Sequence, residues 1–241
     1  IKKFNPRKHG INVPCSLICY ETVKQDLWIA MVGIVGDWYL PSYAKEFSKQ
    51  YPELLPANIK RPEDAMFTTK LGKLVSIFSS VLKGKSSDVN KAIKILTRIE
   101  DPYEILEQNT PRGKLLYKQY EKVNEVYQSL LSEALKNAHS PNYVEYVYEN
   151  NKFSFSKELA NELLYRYPEK IIIVGREKNG EIKLSIRSHK YVLPPLLENA
   201  LVGIDGYGGG HPHAVGACVK KYDYQSFISN FKREIEEHSN S

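Results

Sequence analysis

The sequence predicts an α/β chain in two parts. The first is mostly helical, the second builds a mixed sheet, and a long helix joins them. Three observations carry this. From residue 43 to 137 apolar residues recur at three- and four-residue spacing, the period of a helix with one buried face. Between 112 and 138 that spacing is unbroken, through Leu115, Leu116, Tyr120, Val123, Val126, Tyr127, Leu130, Leu131 and Leu135. After residue 142 short apolar or alternating runs take turns with helical ones. The expected divisions are therefore 1–111, a connecting helix over 112–141, and 142–241.

The chain has 241 residues and is 42% hydrophobic, enough for one large domain or two small ones. Its formal net charge of +6 favours an anionic partner, a nucleotide or nucleic acid, although a lysine excess is also common on soluble proteins. No apolar run approaches the roughly 18 residues of a membrane span, so no membrane partner is expected. Cys15, Cys19 and Cys218 lack zinc-like pairing, and three scattered cysteines point to a reducing, cytoplasmic setting.

Residues 1–12 are basic and turn-rich. Pro14 opens a helix over 15–24, with Leu17, Ile18 and Val23 facing a core. Asp26 is the expected N-cap of a second helix over 27–35, apolar nearly all round and hence buried. A short helix over 43–51 stops at Pro52. Asp64 is expected to cap a helix through Leu71, Leu74, Val75, Phe78 and Leu82, and Asp88 one through Ala92, Ile93, Leu96 and Ile99. Asp101-Pro102 and Thr110-Pro111 bracket a further helical segment. The long helix after it reads either as a connector or as half of a coiled coil, and His139-Ser140-Pro141-Asn142 ends it.

In the second part, Tyr143–Glu149 reads as a strand followed by an Asn150-Asn151 turn, and Ser156 as the cap of a helix through Leu159, Leu163 and Leu164. Ile171-Ile172-Ile173-Val174 suits a central strand. Lys178-Asn179-Gly180 reads as a hairpin turn. The next strand points Ile182, Leu184 and Ile186 one way and Lys183, Ser185 and Arg187 the other. Pro194-Pro195 starts a short helix to Ala200. A glycine loop, a strand over 214–219 and a last helix over 223–237 follow.

The glycine loop, Tyr207-Gly208-Gly209-Gly210-His211-Pro212-His213, is the first candidate site. Successive glycines let backbone N–H groups line a concave nest for a phosphate, with His211 as a donor; the plain alternative is a tight turn. Ser185 and Arg187 share the polar face of the preceding strand, and arginine grips phosphate in bidentate fashion. Asp37, directly after the buried helix, is a candidate metal ligand, though one carboxylate cannot hold a catalytic metal by itself.

Gly208-Gly209-Gly210-His211 followed by Ala214-Val215-Gly216 resembles the glycine-histidine motif of the DHHA1 domain, and Leu184-Ser185-Ile186-Arg187-Ser188 resembles the strand leading into it. Upstream, Asn5-Pro6-Arg7, Val13-Pro14-Cys15-Ser16 and Val32-Gly33-Ile34-Val35-Gly36-Asp37-Trp38 resemble the latter part of a DHH phosphoesterase domain, as in archaeal RecJ-like nucleases. The resemblance implies the mostly helical latter part of a DHH domain over 1–111 and a DHHA1 substrate-binding domain over 142–241. It implies a two-metal centre of Mn2+ or Mg2+ hydrolysing phosphodiesters, with Asp37 as a metal ligand, His211 as catalytic residue, and Ser185, Arg187, Gly208, Gly209, Gly210 and His211 on the substrate.

One departure from the family pattern is plain. The sequence contains no Asp-x-Asp and no Asp-His-His, the motifs that supply most of the metal ligands. The resemblance therefore implies a fragment, or one half of a split exonuclease on single-stranded DNA or RNA, completed by a second chain carrying the N-terminal DHH motifs and acting in DNA repair or replication. Two alternatives stay open. One is an inactive Cdc45-like replication scaffold that contacts GINS. The other is a phosphoesterase for short oligonucleotides or small nucleotides.

Overall fold

The computed structural model describes residues 6–10, 12–149 and 152–239, so Asn5 and the Asn150-Asn151 turn lie outside the described residues. The chain forms two compact units, residues 1–124 and 125–241.

The first unit is helical. A 3-10 turn (Pro6–His9) is followed by α1 (Cys15–Val23), α2 (Leu27–Gly36), α3 (Ala44–Gln50), α4 (Pro62–Thr68), α5 (Lys70–Val81), α6 (Ser86–Leu96), α7 (Tyr103–Leu106) and the first half of α8 (Pro111–Lys136). The core forms around α2, whose Trp28, Met31, Val32, Ile34 and Val35 are all buried, as an all-round apolar helix requires. Leu71, Leu74 and Ile77 of α5, Phe47, Leu54, Leu55, Ile105 and Leu116 complete it. Gly33 lets α1 pack close: a Cβ there would stand 2.9 Å from that of Ser16.

Several local expectations are corrected. α1 buries no residue, and Val23 is 57% exposed. At 100° per residue, Leu17, Ile18 and Val23 point in three directions and cannot share a face. Asp26 caps nothing through its side chain; it takes a left-handed conformation (φ +53°) in the tight connection between α1 and α2. Asp64 lies inside the separate helix α4, gripped by Arg61 at 2.9 and 2.7 Å, and α5 is capped instead by Thr69, whose Oγ1 accepts from Gly72 N. Asp88 sits in the first turn of α6, where it complements the helix dipole without being the cap.

The second unit carries a five-stranded sheet in the order β1-β2-β3-β5-β4, with β1 (Tyr143–Glu149), β2 (Ile171–Lys178), β3 (Glu181–Arg187), β4 (Gly206–His211) and β5 (Ala214–Lys220). β1 and β2 are parallel and the other pairs antiparallel, so the sheet is mixed as expected. Asn179 (φ +55°) and Gly180 (φ +76°) form the tight β2–β3 turn, both left-handed as a type I′ turn demands. Ile182, Leu184, Ile186, Val215 and Val219 face α10 (Leu193–Ala200) and α11 (Tyr224–Ser239), which bring Leu196, Leu197, Phe227 and Phe231 to one core. α9 (Ser156–Arg166) covers part of the opposite face. Its Ser156 is not a cap: the hydroxyl is buried 3.2 Å from that of Tyr148. Among the described residues, no helix is long and apolar enough to cross a membrane.

Candidate functional site

The main correction falls on the glycine run. It is not a concave loop but an extended edge strand, β4, paired with β5 from Gly206↔Val219 to His211↔Ala214. A nest needs successive residues of alternating hand; here the small residues of β5 accept the glycines as a flat partner. The turn lies one step later, at Pro212-His213. It is tied down by Leu193 N donating to Pro212 O (2.7 Å), Ser188 N donating to His213 O (3.2 Å), and a contact of His213 Nδ1 with Tyr191 O (3.1 Å).

The three glycines differ in what they permit. A Cβ on Gly208 would stand 2.8 Å from Gly216 O and 2.9 Å from Leu197 Cδ2 of α10, so packing demands its absence. Gly210 has φ +151° and would place a Cβ 2.5 Å from Ala214 O. Gly209 has open space where a side chain would go. Lys220 N donates to Asp205 O (3.0 Å), which sets the alternation of the ladder. Tyr207, Gly209 and His211 turn their backbone groups to β5, while Gly206, Gly208 and Gly210 turn theirs to the open edge.

Residues paired across antiparallel strands share a face. Arg187 pairs with Ala214, which pairs with His211; Ser185 pairs with Gly216, which pairs with Gly209. The structure therefore brings Ser185, Arg187, Gly209 and His211 onto one face, beside the edge formed by Gly208 and Gly210. Gly209 and Gly216 make a floor of bare backbone. Arg187 and His211 stand at one end of it, two strand spacings or about 10 Å apart at the backbone.

Arg187 is half-buried at the margin of α9. Its Nε donates to Asn161 Oδ1 (2.9 Å), and its Nη1 to Ile186 O (2.9 Å) and Val215 O (3.1 Å). Neither a carboxylate nor any partner of Nη2 accompanies it among the described residues. Burial alone draws its pKa down from the usual value, the desolvation cost of a cation without a counter-ion. His211 is exposed, and its imidazole has no hydrogen bond among the described residues. Asn161, which orients the guanidinium, carried no sequence signal, since one asparagine on a polar helix face looks like solvated surface.

Asp37 belongs to the other unit. It is exposed at the end of α2, with its backbone N–H donating to Gly33 O and Ile34 O. Among the described residues, no group of three or more His, Cys, Asp or Glu is placed to hold a metal. A pair of catalytic metals needs several carboxylate or imidazole ligands, and one exposed aspartate does not fit that requirement.

Residues 140–237 match the family model of the DHHA1 domain. Residues 140–237 thus form a DHHA1 domain. No curated protein matches the chain in sequence. Among solved structures, RecJ of Thermus thermophilus in complex with Mg2+ is 14% identical with a TM-score of 0.57, over 95% of this chain and 35% of that one. The same protein in complex with Mn2+ gives 0.56. An exonuclease RecJ bound to manganese is 15% identical with a TM-score of 0.52, over 94% of this chain and 56% of that one. At these identities the likeness concerns the fold, a helical DHH-like region followed by a long helix and the DHHA1 domain. The chain spans about a third to a half of the length of these RecJ proteins.

Proposed function

We propose that this chain is the substrate-binding portion of a metal-dependent RecJ-like exonuclease, hydrolysing phosphodiesters of single-stranded DNA or RNA in the cytoplasm. The DHH motifs, and with them most ligands of the Mn2+ or Mg2+ pair, would lie outside these residues. The observation that carries this reading is Arg187. A half-buried guanidinium without a carboxylate, oriented by Asn161 and with Nη2 unbonded among the described residues, is a site prepared for an anion. The bare backbone of Gly209 and Gly216 lets a sugar-phosphate chain approach, and Ser185 and His211 add polar groups on the same face.

In this reading Arg187 and Ser185 bind the phosphate and His211 contacts the reacting group. A metal pair would be held by DHH motifs outside these residues and would supply the activated water. No hydrolytic step is assigned to this chain alone. Titrating the chain into a fluorescent single-stranded oligonucleotide tests the binding claim: Arg187→Ala should weaken it roughly tenfold or more, and an unchanged isotherm would remove the basis of the reading. With Mn2+ the chain alone should leave the strand intact, and should release mononucleotides once a chain bearing Asp-His-His is added. Robust hydrolysis by the single chain contradicts the division of labour.

A second reading, a Cdc45-like scaffold for replication proteins such as GINS, is favoured by one observation: among the described residues, no group of three or more His, Cys, Asp or Glu is placed to hold a metal. It predicts retention of GINS by the purified chain, with no nuclease gained on adding the Asp-His-His chain.

A further inference from the structure

Two residues along each strand from the Ser185–Gly216–Gly209 row lies another row on the same face: Arg176, Lys183, Cys218 and Tyr207. We propose that this row is a second nucleotide subsite, in which Tyr207 stacks a base and Lys183 contacts a backbone phosphate. The inference rests on the phosphate-binding reading of Arg187 and extends it along the sheet.

The geometry is that of a track. Arg187 and Lys183 are four residues apart on one strand, roughly 14 Å, and the glycine floor lies halfway between them. An extended nucleic-acid strand lying along β3 and β5 would meet a cation at each end and bare backbone between. Tyr207 is 71% exposed, although it sits in a strand. Isolated exposed aromatics are ordinary; this one borders a glycine floor and shares its row with Lys183. Tyr207 pairs across the strands with Cys218, whose thiol raises the phenol pKa, and most of the ring is left to solvent. Glu181, whose charge acts on Tyr207 and Lys183, is already engaged by Lys220 (2.9 Å) and by the Cys218 thiol (3.5 Å). Lys183 is exposed and has no ion pair among the described residues. A cationic track interleaved with aromatic platforms is how single strands are held without sequence preference.

The test compares decathymidylate with dithymidylate, both binding to the intact chain. Tyr207→Ala should weaken the decamer roughly tenfold and leave the dimer nearly unchanged, while Tyr207→Phe keeps wild-type affinity for both. Lys183→Gln should reduce the slope of log affinity against log salt for the decamer by about 0.7, the share of one phosphate contact on a single strand. Unchanged decamer affinity and salt slope in these variants, with Arg187→Ala still weakening both ligands, would overturn the second subsite alone. Insensitivity of both ligands to Arg187→Ala would instead overturn the phosphate-binding reading beneath it.

Discussion

Arg187 and His211 lie in one cross-strand row with only the methyl group of Ala214 between them. A cation, a small residue and an imidazole in line across three strands leave a gap of about two strand spacings, open to the solvent face. Filling that gap without touching either polar residue separates shape from charge. Ala214→Leu should lower oligonucleotide affinity at least tenfold, with a melting temperature within a few degrees of wild type. Isothermal titration and thermal melting on one preparation check both halves.

The glycines provide an internal control. Gly208→Ala drives a Cβ into Gly216 O and Leu197, so it should cost about 1–3 kcal/mol of stability in chemical denaturation. Gly209→Ala meets open space and should fold normally. Its methyl group would still stand on the floor where the sugar-phosphate chain is placed, so single-strand affinity should fall while the denaturation curve stays put.

The His211 imidazole makes no hydrogen bond among the described residues, so His211→Ala should alter stability by no more than about 0.5 kcal/mol. Turnover measured with an added chain bearing Asp-His-His should nevertheless drop by orders of magnitude. Wild-type turnover in that variant would make the imidazole a bystander of the hairpin.

Alkaline pH probes the frame around the site. Burial, and then the neighbouring Glu145, raise the Tyr224 phenol pKa far above its usual value of 10; burial with Glu162 does the same for Tyr127, and burial with Glu133 for Tyr146. In the helical unit burial, aided by Glu21, pushes Tyr43 to about 12. A raised folded-state pKa means the unfolded chain loses its protons first. These phenols therefore contribute their full stability below pH 10 and lose it as the pH rises from about 10 toward 12 and beyond. Tyr224→Phe leaves Glu145 still bonded to Lys232 (2.8 Å), so it should cost about 1 kcal/mol at neutral pH and make the decline above pH 10 shallower. Urea denaturation across the pH range reads both effects.

What the sequence disclosed depended on how local the determining forces are. β2 and β3 were legible because a continuous apolar run, an alternating run and the Asn-Gly turn between them encode both within a few residues. The long helix was legible because its 3–4 spacing runs unbroken. β4 was not, since glycines carry no periodicity and the extended form of this run is imposed by its partner β5. The same holds for capping. Asp64 looked like a cap for α5, but Arg61 draws it into a helix of its own and Thr69 takes the role. At the site, Arg187 and Ser185 were legible as the polar side of a strand. Their alignment with Ala214, Gly216, Gly209 and His211 is a property of register, and the grip of Asn161 on Arg187 comes from tertiary packing across 26 positions of sequence.

The central claim is that a nucleic-acid phosphate lies on this face beside Arg187. An NMR titration of the isotopically labelled chain with a phosphorylated oligothymidylate tests it most directly. The account predicts that the Arg187 Nε–H and the amides of Gly208, Gly209, Gly210 and His211 shift together along one saturating curve. Saturable binding that leaves these signals in place would contradict it.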